Sequence, residues 1–129
     1  IGYYCGWQYE VLADLATWMA LLPGRYCAYL TEAHSAFRIH GGQDQRRAHI
    51  GLLANIEWLR LLVDGHEAGQ VFADPQAYRK LLALKFGTLM HHLASQHEAM
   101  RAAKLDIPAL QALMARASNA LFLADEGSA

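Results

Sequence analysis

"DPQAYRKLLALKFGTLMHHLASQHEAMRAAK", residues 74–104, decides the fold class of this chain. Asp74 followed by Pro75 is a helix start, because the aspartate side chain can accept an orphan backbone N–H and proline's fixed φ suits the first helical position. No further proline interrupts the stretch. At 100° per residue, Leu82, Phe86, Leu89, Met90, Leu93 and Met100 fall on one arc, so the spacing predicts one long helix with a core-facing stripe.

Reading toward the C-terminus, "LDIPAL" restarts the chain with Asp106 as a cap. Ile107, Leu110, Leu113, Met114, Ala117 and Leu121 then form a second stripe, ahead of a polar "DEGSA" tail. Toward the N-terminus, "DGHEAGQVFADP" is longer than an ordinary helix-to-helix connection. It follows an expected helix from a cap at Asp44 to about Val63. Two more helices are expected before that. One spans about Tyr3 to Leu22, stopped by Pro23-Gly24. The other spans about Arg25 to Ile39, stopped by Gly41-Gly42, with Tyr26, Leu30, Ala33 and Phe37 as its ridge. The expected fold is all-α, an antiparallel bundle of about four long helices plus a shorter C-terminal packing helix. All 129 residues are expected to form one helical domain, and the start at Ile1 reads as processing of, or excision from, a longer protein.

Composition narrows function by exclusion. Hydrophobic residues make up 54% of the chain and the formal net charge is -1, so no global field draws it to nucleic acid or an anionic membrane. The apolar stretch from Val11 to Leu22 is too short to span a bilayer and is interrupted by Asp14. Cys5 and Cys27 make neither a disulfide framework nor a C-x-x-C pair, which points to reduced thiols and a cytoplasmic location. No glycine-rich phosphate loop, G-x-S-x-G, H-E-x-x-H or E-x-x-H pattern occurs, so no catalytic residues are assigned.

Three histidines, His91, His92 and His97, sit within the long helix. Ligands sharing a metal from one helix stand three or four residues apart, and none of the three has such a partner: Ser95, Gln96 and Arg101 occupy the fourth positions. At His92 and Met100 the helix resembles the hemerythrin pattern, but Gln96 stands where that family has a ligand glutamate and the last helix holds no histidine. "EAHSAFRIHGG" similarly resembles a histidine phosphotransfer module at His34 alone, with Phe37 and Arg38 in place of its lysine and glycine. Neither membership follows, and no cofactor or metal is assigned. A metal or haem sensor built across helices, for example from His49, His97 and Glu57, is the least favoured expectation. His97 is expected in the core stripe, His91 and His92 at the rim. Asn55 is expected as a buried amide that fixes helix register, opposite a charged arc of Arg46, Glu57, Arg60 and Asp64.

Two surfaces are candidates for function. Trp7, Tyr9, Val11, Leu12, Leu15, Trp18, Met19 and Leu21 surround the first helix, and a helix apolar on most sides is central or packs on a partner. Protein–protein contact through it, by self-association or with another protein and anchored by Tyr3, Tyr4 and Trp7, is the leading expectation. The alternative is an anion- or nucleic-acid-binding end made of Arg38, His40, Arg46, Arg47 and His49. There Arg46 and Arg47 are expected in a first helical turn, where the dipole disfavours cations by roughly a few tenths of a kcal/mol.

Overall fold

The computed structural model describes residues 9–33, 35, 36, 38, 40, 47–69 and 74–122, and these contain helices and no strand. In chain order they are α1 (Ala13–Leu21), α2 (Ala48–Glu67), α3 (Pro75–Ser95), α4 (His97–Ala103) and α5 (Ile107–Phe122). The starts of α3 and α5 follow from their caps. Asp74 accepts the Gln76 N–H at 2.9 Å with Pro75 behind it, and Asp106 accepts the Ala109 N–H at 3.0 Å.

α2 is the common wall, packed by α3, α4 and α5 on one side and by α1 on another. Specific bonds give the directions. Tyr78 Oη donates to the Leu62 carbonyl, and Asn55 Nδ2 lies 3.0 Å from His92 Nδ1. The start of α3 therefore faces the end of α2, and its end faces the first half of α2, an antiparallel pair. Arg79 of α3 donates to the Leu121 carbonyl at the end of α5, so α5 runs against α3 and along α2.

Leu52, Leu59, Leu62 and Val63 of α2, Leu82 and Leu89 of α3, Ala99 of α4, and Leu110, Leu113 and Ala117 of α5 make one buried cluster. Each fully buried leucine stabilises the fold by about 2 kcal/mol, so this cluster outweighs any single polar contact. A smaller cluster of Tyr9, Ala13, Ala16 and Leu61 seats α1 on α2.

A buried carboxylate anchors that second cluster. Glu57 is 5% exposed, and its two oxygens accept the backbone N–H groups of Glu10 (2.5 Å), Val11 (2.9 Å) and Leu12 (2.7 Å). Moving a carboxylate out of water costs several kcal/mol, which is offset only when the acceptor sites are filled by well-placed donors. Three convergent N–H groups meet that condition and fix the segment before α1 to the middle of α2. At the other end of α2, Arg116 of α5 donates to Asp64 at 2.6 Å and bridges both oxygens of Glu67 at 3.0 and 2.5 Å.

The arrangement departs from four long helices plus a short terminal one. Three helices are long, α2, α3 and α5, and α5 is the C-terminal one. The described residues of the expected helix over 25–39 form no helix and are exposed. Gly24 takes φ +70 and the Arg25 N–H bonds to the Leu22 carbonyl, so the chain turns there without a helix cap. Tyr26, Cys27, Tyr29 and Thr31 are weak helix formers, and a helix of that length is marginal in water without a surface to pack on. The first helix begins at Ala13 because the N–H groups just before it are held by Glu57. α2 begins at Ala48, with Arg47 and not Asp44 at the N-cap; Asp44 lies outside the described residues.

The expected single helix over 75–104 breaks at Gln96, after Ser95 has turned its hydroxyl back onto the His91 carbonyl at 2.7 Å. The break rotates Ala99 into the core and leaves His97, expected in the core stripe, exposed. Glu57, expected on a solvated charged arc, is buried instead. Replacing Glu57 with alanine leaves three N–H groups without their acceptor and is expected to cost about 2 kcal/mol, read as a lower urea midpoint. Glu57→Gln, which keeps one acceptor oxygen, should recover part of the loss.

Candidate functional site

α1 buries two alanines and leaves Trp18 and Leu21 exposed. Ala13 and Ala16 are buried against Leu61, with Leu15 and Met19 packed at the edges. Trp18 is 59% exposed and Leu21 61% exposed, three residues apart and so on one face, with Asp14 a turn before Trp18 and also exposed. Alanine on the inner face lets α1 lie close to α2, and the Glu57 clamp fixes its root. The consequence is an outer face carrying a tryptophan and leucines with nothing over them within the described chain.

The apolar exposure continues past the helix. Leu22, Tyr26, Tyr29 and Leu30 are exposed in the non-helical segment that follows. Six of the ten large apolar side chains left exposed among the described residues thus fall between Trp18 and Leu30. Leu84, Met90, Ile107 and Phe122, the other four, are spread over two helices, which is ordinary for a protein surface. Met90, expected in the core stripe, is among them. Tyr3, Tyr4 and Trp7, the anchors expected from sequence, lie outside the described residues. Trp18, which the sequence placed in the same apolar-all-round helix, is exposed, with the buried Ala13 and Ala16 on the opposite side.

The expected basic end is only partly described. Arg38 and His40 are exposed in the segment before α2, Arg46 lies outside the described residues, and Arg47 is exposed at the N-cap of α2. Arg47 therefore does not sit in the first turn. Its backbone is extended, and its carbonyl accepts the N–H groups of Ile50 (3.0 Å) and Gly51 (3.2 Å). His49, one residue into the helix, is half-buried.

The histidines do not converge. His91 and His97 are exposed. His92 is half-buried and its Nδ1 faces the Asn55 amide, which also donates to the Gly51 carbonyl at 2.9 Å. Asn55, expected as a buried amide, is half-buried, and its partner lies on α3. His66 stacks on Tyr78 with ring centroids 4.9 Å apart. No group of three or more metal-binding side chains stands together among the described residues, and Glu57, the carboxylate considered with His49 and His97, is engaged by backbone N–H groups. Compared with known proteins, the chain matches no protein family, no curated protein and no solved structure.

The Arg116 bridge sets a pH dependence. Hydrogen bonds from Arg116 hold the Glu67 carboxyl below its ordinary value of 4.5. A carboxyl whose value is lowered on folding stabilises the fold above its unfolded value, and that contribution is lost as pH falls through the lowered one. The native protein should therefore lose stability in the acid range below about 4.5, and Arg116→Gln should show a shallower acid limb in thermal melts. Because the Glu67 and Arg116 side chains are both partly exposed, the difference should shrink in high salt.

Proposed function

We propose that this chain is a non-catalytic helical interaction module that works by protein–protein contact, as an oligomer or as a subunit of a larger assembly, with the outer face of α1 as its contact element. The observation that carries the reading is the inversion on α1: buried Ala13 and Ala16 on one side, exposed Trp18, Leu21 and Leu22 on the other. Tryptophan is among the residues enriched at interface anchors, and monomeric surfaces rarely keep large apolar side chains together in one patch. Burying Trp18 and Leu21 against a partner would contribute on the order of 2 kcal/mol each, enough with neighbouring contacts to offset the ordering of the two bodies at micromolar affinity. The fixed root of the helix adds to this, because a pre-positioned anchor loses less freedom on binding.

The basic end supports a second reading, contact with phosphate or a nucleic-acid backbone. Its support is α2 opening with Arg47 at the N-cap, no acidic residue in its first turn and His49 close behind. Salt-dependent retention on a polyanion, weakened by Arg47→Glu, would favour this reading; a stable dimer indifferent to salt favours the first. No helix among the described residues is long and apolar enough to cross a membrane.

Sedimentation of the native chain at micromolar to high micromolar concentration tests the leading reading. The native protein should sediment as a species larger than the monomer. Trp18→Glu should return it to a monomer that keeps the native far-UV spectrum, since the side chain it replaces is mostly solvated in the single chain. A native protein that stays monomeric throughout, with a Trp18→Glu variant that melts earlier, would remove the support for α1 as a contact element.

A further inference from the structure

The charges along the outer face of α1 are sorted by sign. Between Glu10 and Leu30 the sequence holds three charged side chains, Glu10, Asp14 and Arg25, and all three are exposed. The two acids lie at the root of α1 and the cation just past its end. Gly24 turns the chain with φ +70, and the Arg25 N–H bonds the Leu22 carbonyl at 2.8 Å, so Arg25 stays beside the last turn of the helix. Neither Asp14 nor Arg25 has an ion-pair partner among the described residues.

Asp14 and Arg25 bracket the apolar face evenly, Asp14 four residues before Trp18 and Arg25 four residues after Leu21. A second α1 laid antiparallel across the face, Trp18 of each chain against Leu21 of the other, therefore brings Asp14 of each beside Arg25 of the other. A parallel copy would set like charge against like. The antiparallel relation is its own inverse, so it closes as a twofold dimer that uses one patch on both sides. The apolar area fits the same partner. Trp18, Tyr26 and Tyr29 are 59%, 104% and 90% exposed, and aromatic side chains bury about 150 to 250 Å² each. With the exposed Leu21, Leu22 and Leu30, the stretch carries about the 800 Å² per partner that a specific dimer needs.

We propose that the occupant of this face is a second copy of the chain, paired antiparallel across Trp18 and Leu21, with Asp14 and Arg25 forming two symmetry-related ion pairs that set the register. The pairing rests on α1 being a contact element. Apolar burial supplies the affinity, and the exposed charges supply orientation.

Sedimentation of the intact chain in reducing buffer, which keeps the exposed Cys27 from cross-linking, tests the pairing by charge reversal. Asp14→Arg alone and Arg25→Asp alone each set like charges together twice per dimer. Each should weaken dimerisation about fivefold, a modest loss because exposed ion pairs contribute little individually, while the far-UV spectrum stays native. Mixed one to one, the two variants restore both opposite-charge pairs and should form a heterodimer of near-native affinity. Asp14 also accepts the Leu15 N–H in the first turn of α1; Arg25→Asp, outside the helix, gives the same loss without disturbing that turn. A native dimer that Arg25→Asp does not weaken, a mixture of folded variants no tighter than either alone, or a native species larger than a dimer would each overturn the antiparallel pair and leave α1 standing as a contact face. A chain that stays monomeric at high micromolar concentration overturns the pair as well, and takes the contact reading with it when Trp18→Glu also melts earlier.

Discussion

A single buried charge governs how the N-terminal part of this protein meets the rest. Glu57 lies in the middle of α2, the helix that every other helix touches directly, and its carboxylate is satisfied by three consecutive N–H groups of the chain just before α1. A carboxylate in that position is unfavourable unless all three donors arrive together. The bond set therefore specifies one placement of the segment. Hydrophobic packing alone, with Ala13, Ala16 and Tyr9 on Leu61, would tolerate sliding, because small side chains offer few distinct holes. Two features inherit that placement: the outward direction of Trp18 and the wall that Tyr9 and Glu10 give to a cleft beside α2.

The division of labour along α2 follows the same logic. Its leucines carry most of the stability, since burial of several large side chains exceeds what a few polar contacts can contribute. Its polar residues carry direction. Asn55 meets His92 at the end of α3, Glu57 meets the root of α1, and Asp64 with Glu67 meets Arg116 of α5. Each of these pairs two elements at one register, and no buried side-chain polar atom among the described residues is left without a partner.

α1 shows how a helix can be apolar on most sides without being central. Its fully buried residues are alanines, with Leu15 and Met19 at the edges, so Trp18 and Leu21 are turned away from the core. That inversion leaves Trp18 and Leu21 exposed where a core helix would bury them. It depends on which face the clamp presents to α2, not on the composition of the helix.

The all-α class was legible in the sequence because it rests on local signals. Asp74-Pro75 and Asp106 act within one turn, and the leucine stripes on the later helices repeat at the helical period whatever they pack against. Leu82, Leu89, Leu110, Leu113 and Ala117 are core residues by period and by structure alike. What the tertiary structure alone decided are the features that need a second element. A helix over 25–39 has the right apolar spacing, but among the described residues nothing covers Tyr26, Leu30 or Ala33, and a helix of that length is not stable by itself. The break at Gln96 lets Ala99 reach α2, so His97 points to solvent although its position in the stripe placed it inside. Glu57 reads as one more surface charge until the N–H groups of residues 10–12 are brought to it from 45 to 47 positions away. Local periodicity therefore specifies which segments become helices, whereas the direction each face takes depends on long-range partners that no single stretch of sequence contains.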